Sequence, residues 1–137
     1  MTDNSVPLLV VDAANVVGSR PDGWWRDRAG AARRLLTNLQ ALPARLDEPT
    51  EIAVILEGAA KAAVGRNSDT DSDYPELRIV LASGSGDDAI VDLVAAAAAA
   101  DNNRRITVVT ADRGLRERVE PLGAQTVGPS WLRDRIG

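Results

Sequence analysis

The sequence contains no cysteine and no histidine in its 137 residues. Disulfides, thiol nucleophiles, Ser-His triads and zinc sites built on imidazole or thiolate are therefore excluded. Any metal ion must be held by the oxygen atoms of carboxylates, amides, hydroxyls and water, which is the ligand set of Mg²⁺, Mn²⁺ or Ca²⁺. If this chain is an enzyme, its chemistry is that of carboxylates.

Long apolar runs and an excess of positive charge are also lacking. No stretch approaches the roughly 18 consecutive apolar residues of a transmembrane helix, and the first residues, MTDNSV, do not resemble a secretion signal. We therefore expect a cytoplasmic protein, with one domain over residues 1–137, because 45% apolar and 26% charged residues are typical of a globular chain. The formal net charge of −4 argues against a nucleic-acid partner. Nearly all the basic residues are arginine, however, and arginine suits forked contacts with phosphate.

Apolar runs alternate with amphipathic segments along the chain. Strands are predicted at residues 8–11, 52–56, 77–83, 106–110 and 124–128, and helices at 24–42, 86–101, 113–123 and 130–137. Ser130 is the expected cap of the last helix, and residues 61–76 have no period and predict a loop. The unbroken apolar strands predict an α/β three-layer sandwich with a mainly parallel sheet of four to five strands.

Acidic residues follow the predicted strands. Asp12 comes just after the first strand, Glu57 after the second and Asp112 after the fourth, while Asp87 and Asp88 open the helix after the third. The carboxyl ends of parallel strands lie at one edge of a sheet, where ligands bind at the switch in strand order. Because these carboxylates would repel each other without a cation among them, the sequence predicts a site for Mg²⁺ or Mn²⁺ at this edge.

Each of these acids also has a purely structural interpretation. Asp87 and Asp88 could stabilise the N-terminus of a helix, with Asp87 as its cap. Glu57 could begin an exposed loop, and Asp112 could be an ordinary turn residue. Asp12 is harder to explain in this way, since it follows four apolar residues.

Five motifs occur in a characteristic order: VVDAANVVGS, WWRDR, VILEG, SGDDAIVDLV and VVTADRGLRERV. Together they resemble the NYN branch of the PIN-like metal-dependent ribonucleases over nearly the whole chain. The resemblance implies a PIN-like fold, hydrolysis of RNA phosphodiester bonds with Mg²⁺ or Mn²⁺, and site residues Asp12, Asn15, Glu57, Asp87, Asp88 and Asp112. Two positions depart from the family: Arg116 stands where some members place another acid, and Glu57 stands where Asp is commoner.

The mechanism that we expect uses metal-bound water. Asp12, Asp88 and Asp112 would hold one ion, with Glu57 as a further ligand. The ion would lower the pKa of bound water so that hydroxide attacks phosphorus in line, while a second ion or a nearby arginine stabilises the leaving oxygen. Asn15 would orient a water molecule or the scissile phosphate.

Contacts to RNA, single-stranded or structured, are assigned to arginine and tryptophan. Arg20 and Arg113 are candidates for contact with the RNA backbone, although solvated helix faces are the alternative for such residues. Trp24 and Trp25 either stack on bases or pack in the core. Both a monomer and a homodimer are compatible with the sequence.

Two other functions stay open. A Mg²⁺-dependent phosphohydrolase of small phosphoesters would also present aspartates at such an edge, but its commonest form has a second Asp two residues after the first, where this chain has Ala14. A non-catalytic module that binds RNA or protein could keep the fold without the activity.

Overall fold

The computed structural model describes residues 6–19, 23–63 and 74–136 of the chain. The strands in these ranges are β1 (Leu8–Asp12), β2 (Glu51–Leu56), β3 (Arg78–Leu81), β4 (Ile106–Val109) and β5 (Gln125–Val127). The α-helices there are α1 (Ala13–Gly18), α2 (Arg28–Leu39), α3 (Gly86–Ala100), α4 (Arg113–Val119) and α5 (Pro129–Ile136). Short 3₁₀ helices occur at Trp24–Arg26, Pro43–Arg45, Gly58–Ala63 and Glu120–Leu122.

The five strands form one sheet in the order β3-β2-β1-β4-β5. Every neighbouring pair is parallel, and in the central strand Val11 lies between Val54 and Val109. The chain adds β2 and β3 on one side of β1 and then returns to add β4 and β5 on the other side. The switch in strand order therefore lies between the carboxyl ends of β1 and β4. The predicted α/β architecture with a parallel sheet is confirmed, and the fifth strand is present.

Two apolar cores cover the two faces of the sheet. Leu9 and Val11 of β1 belong to one core, which includes buried residues of α1, α2 and α5 such as Leu36. Leu8 and Val10 belong to the other core, which includes buried residues of α3 and α4. Successive side chains of a strand point to opposite faces. A strand covered by helices on both faces is therefore apolar at every position, and this explains the unbroken runs in the sequence.

Several element boundaries differ from the sequence prediction. The six-residue helix α1 was not predicted. The helix expected over residues 24–42 is interrupted at Asp27, whose backbone is not helical and whose side chain caps α2 by accepting a hydrogen bond from the Gly30 N–H at 2.8 Å. The prediction that Ser130 caps the last helix is wrong, because that helix begins one residue earlier at Pro129, and proline is favoured in the first turn.

The loop predicted over residues 61–76 falls partly outside the described residues, which resume at Tyr74. Its first residues belong to the 3₁₀ helix Gly58–Ala63. In the described part of the chain, none of the helices combines the length and apolar character needed to cross a bilayer.

Candidate active site at the carboxyl edge of the sheet

Asp12 is the last residue of the central strand and lies at the switch in strand order. Its side chain is buried, with only 6% of the residue exposed. One carboxylate oxygen, Oδ1, accepts a hydrogen bond from the Asn15 N–H at 3.3 Å and thereby caps α1. The other oxygen, Oδ2, accepts a hydrogen bond from the Thr110 hydroxyl at 2.9 Å. The carboxylate is therefore held in one orientation at the edge where α/β sheets bind ligands.

Thr110 is a functional candidate that the sequence analysis missed. The residue is fully buried, and its hydroxyl both donates to Asp12 and accepts a hydrogen bond from the Asp112 N–H at 3.1 Å. Its carbonyl oxygen accepts a hydrogen bond from Arg116 Nε at 3.0 Å. The sequence did contain a signal, because the run ITVVT ends on a hydroxyl where the neighbouring strand LLVVD ends on a carboxylate.

Asn15 connects α1 to the turn between β4 and α4. Its side-chain oxygen Oδ1 accepts a hydrogen bond from the Ala111 N–H at 2.8 Å. The amide oxygen is thus hydrogen-bonded to the protein backbone. The role in orienting water or phosphate that the sequence suggests for Asn15 stays a prediction. Asn15 and Thr110 together tie the ends of β1 and β4 to each other.

Asp112 and Glu57 each bind the beginning of a helix. Asp112 Oδ1 accepts a hydrogen bond from the Leu115 N–H at 3.1 Å and caps α4. Glu57 Oε1 accepts a hydrogen bond from the Gly86 N–H at 2.6 Å, at the first residue of α3. A Cβ atom at position 86 would overlap the Glu57 carboxylate, so any other residue there would displace this side chain. Glu57 is therefore not simply the start of an exposed loop.

The two aspartates that open α3 have different surroundings. The cap of this helix is Ser85, which accepts a hydrogen bond from the Asp88 N–H at 3.0 Å, so the prediction of Asp87 as the cap is wrong. Asp87 is half-buried and Asp88 is exposed. Asp88 forms an ion pair with Arg118 at 3.0 Å. The predicted ligand role of Asp88 stays a prediction, and the charge of Asp87 is the one of this pair that raises the pKa of Asp12.

Electrostatic repulsion links four of the predicted site acids. Burial, with added contributions from the charges of Asp87 and Glu57, raises the pKa of Asp12 to about 6, against the opposing hydrogen bonds from Thr110 and Asn15. Burial also raises the pKa of Asp87, as do the charges of Asp112 and Glu57. A divalent cation among these side chains would relieve both the repulsion and the cost of burying Asp12.

The donor set fits a small, hydrated divalent ion. Within residues 6–19, 23–63 and 74–136, no three acidic side chains are grouped closely enough to hold a metal ion by themselves. Mg²⁺ usually takes one or two carboxylates directly and keeps several water molecules. Two carboxylates, such as Asp12 with Asp87 or Asp112, would meet this smaller requirement.

Only some of the residues predicted to contact RNA lie in the described part of the chain. Arg20 and the side chain of Trp24 lie outside the described residues. Arg113 is exposed at the first residue of α4, directly after Asp112. Trp25 is 54% exposed and therefore does not pack in the core. The guanidinium of Arg26 lies 5.8 Å from the centre of the Trp25 ring.

Comparison with known proteins finds a similar fold among solved structures. No family model and no curated protein sequence matches this chain. The fold resembles that of Rae1 (YacP) from Bacillus subtilis. The crystal structure of Rae1 has a TM-score of 0.73 at 16% sequence identity, covering 96% of this chain and 74% of Rae1. A mutant of Rae1 gives 0.74 at 15% identity, with 96% and 75% coverage. At this identity, the similarity to Rae1 shows a shared fold.

Proposed function

We propose that this protein is a metal-dependent ribonuclease that hydrolyses RNA phosphodiester bonds with Mg²⁺ or Mn²⁺. One observation carries the proposal: a buried carboxylate, Asp12, lies at the switch point of a parallel sheet, where burial and, after it, the charges of neighbouring acids raise its pKa. Burying a carboxylate without a cation costs free energy. Because the chain has no histidine or cysteine, the cation that would offset this cost is a hard ion bound by oxygen. The family resemblance of the motifs supports RNA as the substrate, and the cytoplasm remains the expected location.

Asp12 is the central ligand in this proposal, with Asp87 and Asp112 as its partners. A bound divalent ion would lower the pKa of a water molecule and stabilise negative charge on the scissile phosphate. Thr110 and Asn15 fix the orientation of Asp12 and hold the β4–α4 turn that carries Asp112. Outer hydrogen bonds of this kind orient metal ligands and support metal affinity.

The direct metal contact that the sequence predicts for Glu57 stays a prediction, and its hydrogen bond supports a second role. One of its oxygens is engaged by the N–H of Gly86 and so fixes the start of α3, the helix that carries Asp87. Its negative charge also contributes to the raised pKa of Asp12. We assign Glu57 as a positioning residue for Asp87.

The negative net charge is compatible with an RNA partner because positive and aromatic groups occur near the site acids in the chain. Arg113 directly follows Asp112 and can contact phosphate. The exposed Trp25, with Arg26 beside its ring, is a surface on which a single-stranded base can stack. A homodimer stays compatible with this proposal.

Cleavage of a labelled single-stranded RNA by the purified protein with Mn²⁺ tests the proposal. We expect a chelator to abolish cleavage. Asp12→Asn and Asp112→Asn should each reduce cleavage by more than about 100-fold, because losing a metal ligand lowers activity more than losing a residue that only hydrogen-bonds to a ligand. Asp92→Asn is the matched control, since Asp92 is an exposed residue of the same helix as Asp87.

Other outcomes identify the alternatives. Hydrolysis of small phosphate monoesters without RNA cleavage would indicate a phosphohydrolase. Retention of RNA that is insensitive to both chelator and Asp12→Asn, without cleavage, would indicate a binding module. Undiminished cleavage by both site variants would show that the assigned site is wrong.

A further inference from the structure

A small cavity opens beside the candidate active site, between α1, α2 and the turn after β2. Its volume is about 210 Å³, and its apolar walls include Ala13, Ala14, Val17, Ala32 and Ala60. Cavities for drug-sized ligands have volumes of about 300–1,000 Å³. This cavity therefore suits a smaller group, of the size of a single ring system.

The cavity is continuous with the acid site along the chain. Ala13 directly follows Asp12, and Glu57, whose charge raises the pKa of Asp12, also lines the cavity. Gly58 has a φ of +57°, which favours glycine and turns the chain sharply after Glu57. This turn brings Ala60 to the wall that faces α1 and α2.

The cavity has two charged side chains in its lining, one acidic and one cationic. Glu57 supplies the acid, and within the part of the chain that the structure describes its hydrogen bond is made by Oε1, to the N–H of Gly86. A carboxylate accepts hydrogen bonds through both oxygens, so Oε2 offers a charged acceptor to a ligand. Arg28 supplies positive charge at the same cavity. Apolar walls with a few polar groups are typical of sites that bind an organic ring.

We propose that this cavity binds one nucleobase of the RNA substrate and prefers bases that carry an exocyclic amino group. The inference rests on the proposed ribonuclease function and extends it to substrate selection. Single-stranded RNA is recognised by bases that leave the stack and present their edges to side chains. The amino group of adenine, cytosine or guanine can donate to a carboxylate, as in contacts of Glu with cytosine N4. Uracil has no exocyclic amino group, and its one ring donor, N3–H, lies between two carbonyl oxygens that the negative charge of Glu57 disfavours.

Nucleoside binding to the full chain in EDTA tests this site without cleavage. Amide resonances of ¹⁵N-labelled protein would be followed during titration with adenosine, cytidine and uridine. We expect saturable shifts at Ala14, Val17 and Ala60, with adenosine and cytidine binding about tenfold more tightly than uridine, which corresponds to one hydrogen bond to a charged group.

Two variants test the space in the cavity and its hydrogen-bonding groups separately. Ala14→Leu fills the cavity from an exposed helix position and should weaken nucleoside binding by about tenfold or more. Ala59→Leu is the matched control, because Ala59 is exposed and lies beside Ala60 without being part of the wall described above. Glu57→Gln keeps an oxygen for the Gly86 N–H but replaces the other with an NH₂ donor, so the preference should move towards uridine.

Equal affinity for the three nucleosides, or unchanged binding by Ala14→Leu in a protein with an otherwise native spectrum, would overturn the base site. Binding by the wild type without shifts of the cavity amides would overturn it as well. The result is independent of catalysis. If only the base site is wrong, the wild type still cleaves RNA with Mn²⁺. If the ribonuclease proposal is wrong, no RNA cleavage is seen, and nucleoside binding can still be measured.

Discussion

Replacement of Asp12 by asparagine should stabilise the metal-free protein, although it alters a buried, hydrogen-bonded residue. Burial and the nearby charges raise the pKa of Asp12 from an ordinary value of 3.8 to about 6. At about 1.36 kcal/mol per pKa unit, the ionised carboxylate costs the folded state about 3 kcal/mol at pH 8. Asparagine removes the charge and loses about one hydrogen bond, worth about 1 kcal/mol. The net gain is therefore about 2 kcal/mol.

The pH dependence follows from the direction of the same shift. Because the folded-state pKa of Asp12 is raised above the unfolded value, its contribution to stability is most favourable below pH 3.8. The cost develops as the pH rises towards 6 and is complete above the folded-state pKa. The advantage of Asp12→Asn should thus be large at pH 8 and small near pH 4.

Thermal unfolding in EDTA at both pH values measures this effect. We expect Asp12→Asn to raise Tm by about 8 °C at pH 8, at roughly 4 °C per kcal/mol for a chain of this size. The exposed control Asp92→Asn should change Tm by about 1 °C or less. Saturating Mn²⁺ should raise the Tm of the wild type and not that of Asp12→Asn. A lower Tm for Asp12→Asn at pH 8 would show instead that the ionised carboxylate stabilises the metal-free fold.

Two further substitutions test the contacts that position the site. Thr110→Val removes the hydroxyl that donates to Asp12 and should lower the free energy of unfolding at pH 8 by about 1–2 kcal/mol; urea unfolding with no loss would contradict this role. Gly86→Ala places a Cβ against the Glu57 carboxylate and should cost about 1 kcal/mol through the broken hydrogen bond. Gly84→Ala is its control, with open space at that position and an expected change within about 0.5 kcal/mol; equal effects of the two glycine variants would argue against the contact.

The sheet could be predicted from the sequence because the same apolar pattern recurs from strand to strand. The central strand contributes to cores on both faces, so its sequence is apolar without interruption. The helix α1 could not be read in the same way. It has six residues, too few to show a helical period, and its cap is Asp12, which also ends the strand.

The site could be predicted at the level of the sheet edge and not at the level of contacts. Strand ends alone placed Asp12, Glu57 and Asp112 at one edge. Adjacent residues of a helix point in different directions, however, and sequence alone did not show that the charge of Asp87 acts on Asp12 while Asp88 pairs with Arg118. Local capping was equally hidden, because a carboxylate at the end of a strand can bind a metal, begin a helix or do both.

Anomalous diffraction from a crystal soaked in Mn²⁺ tests the central claim most directly. We expect a peak in contact with the carboxylate of Asp12 and with that of Asp87 or Asp112, at the switch in strand order. A fully occupied peak elsewhere, such as beside Asp88, with none at Asp12 would contradict it, and so would a soaked crystal without any manganese at this edge of the sheet.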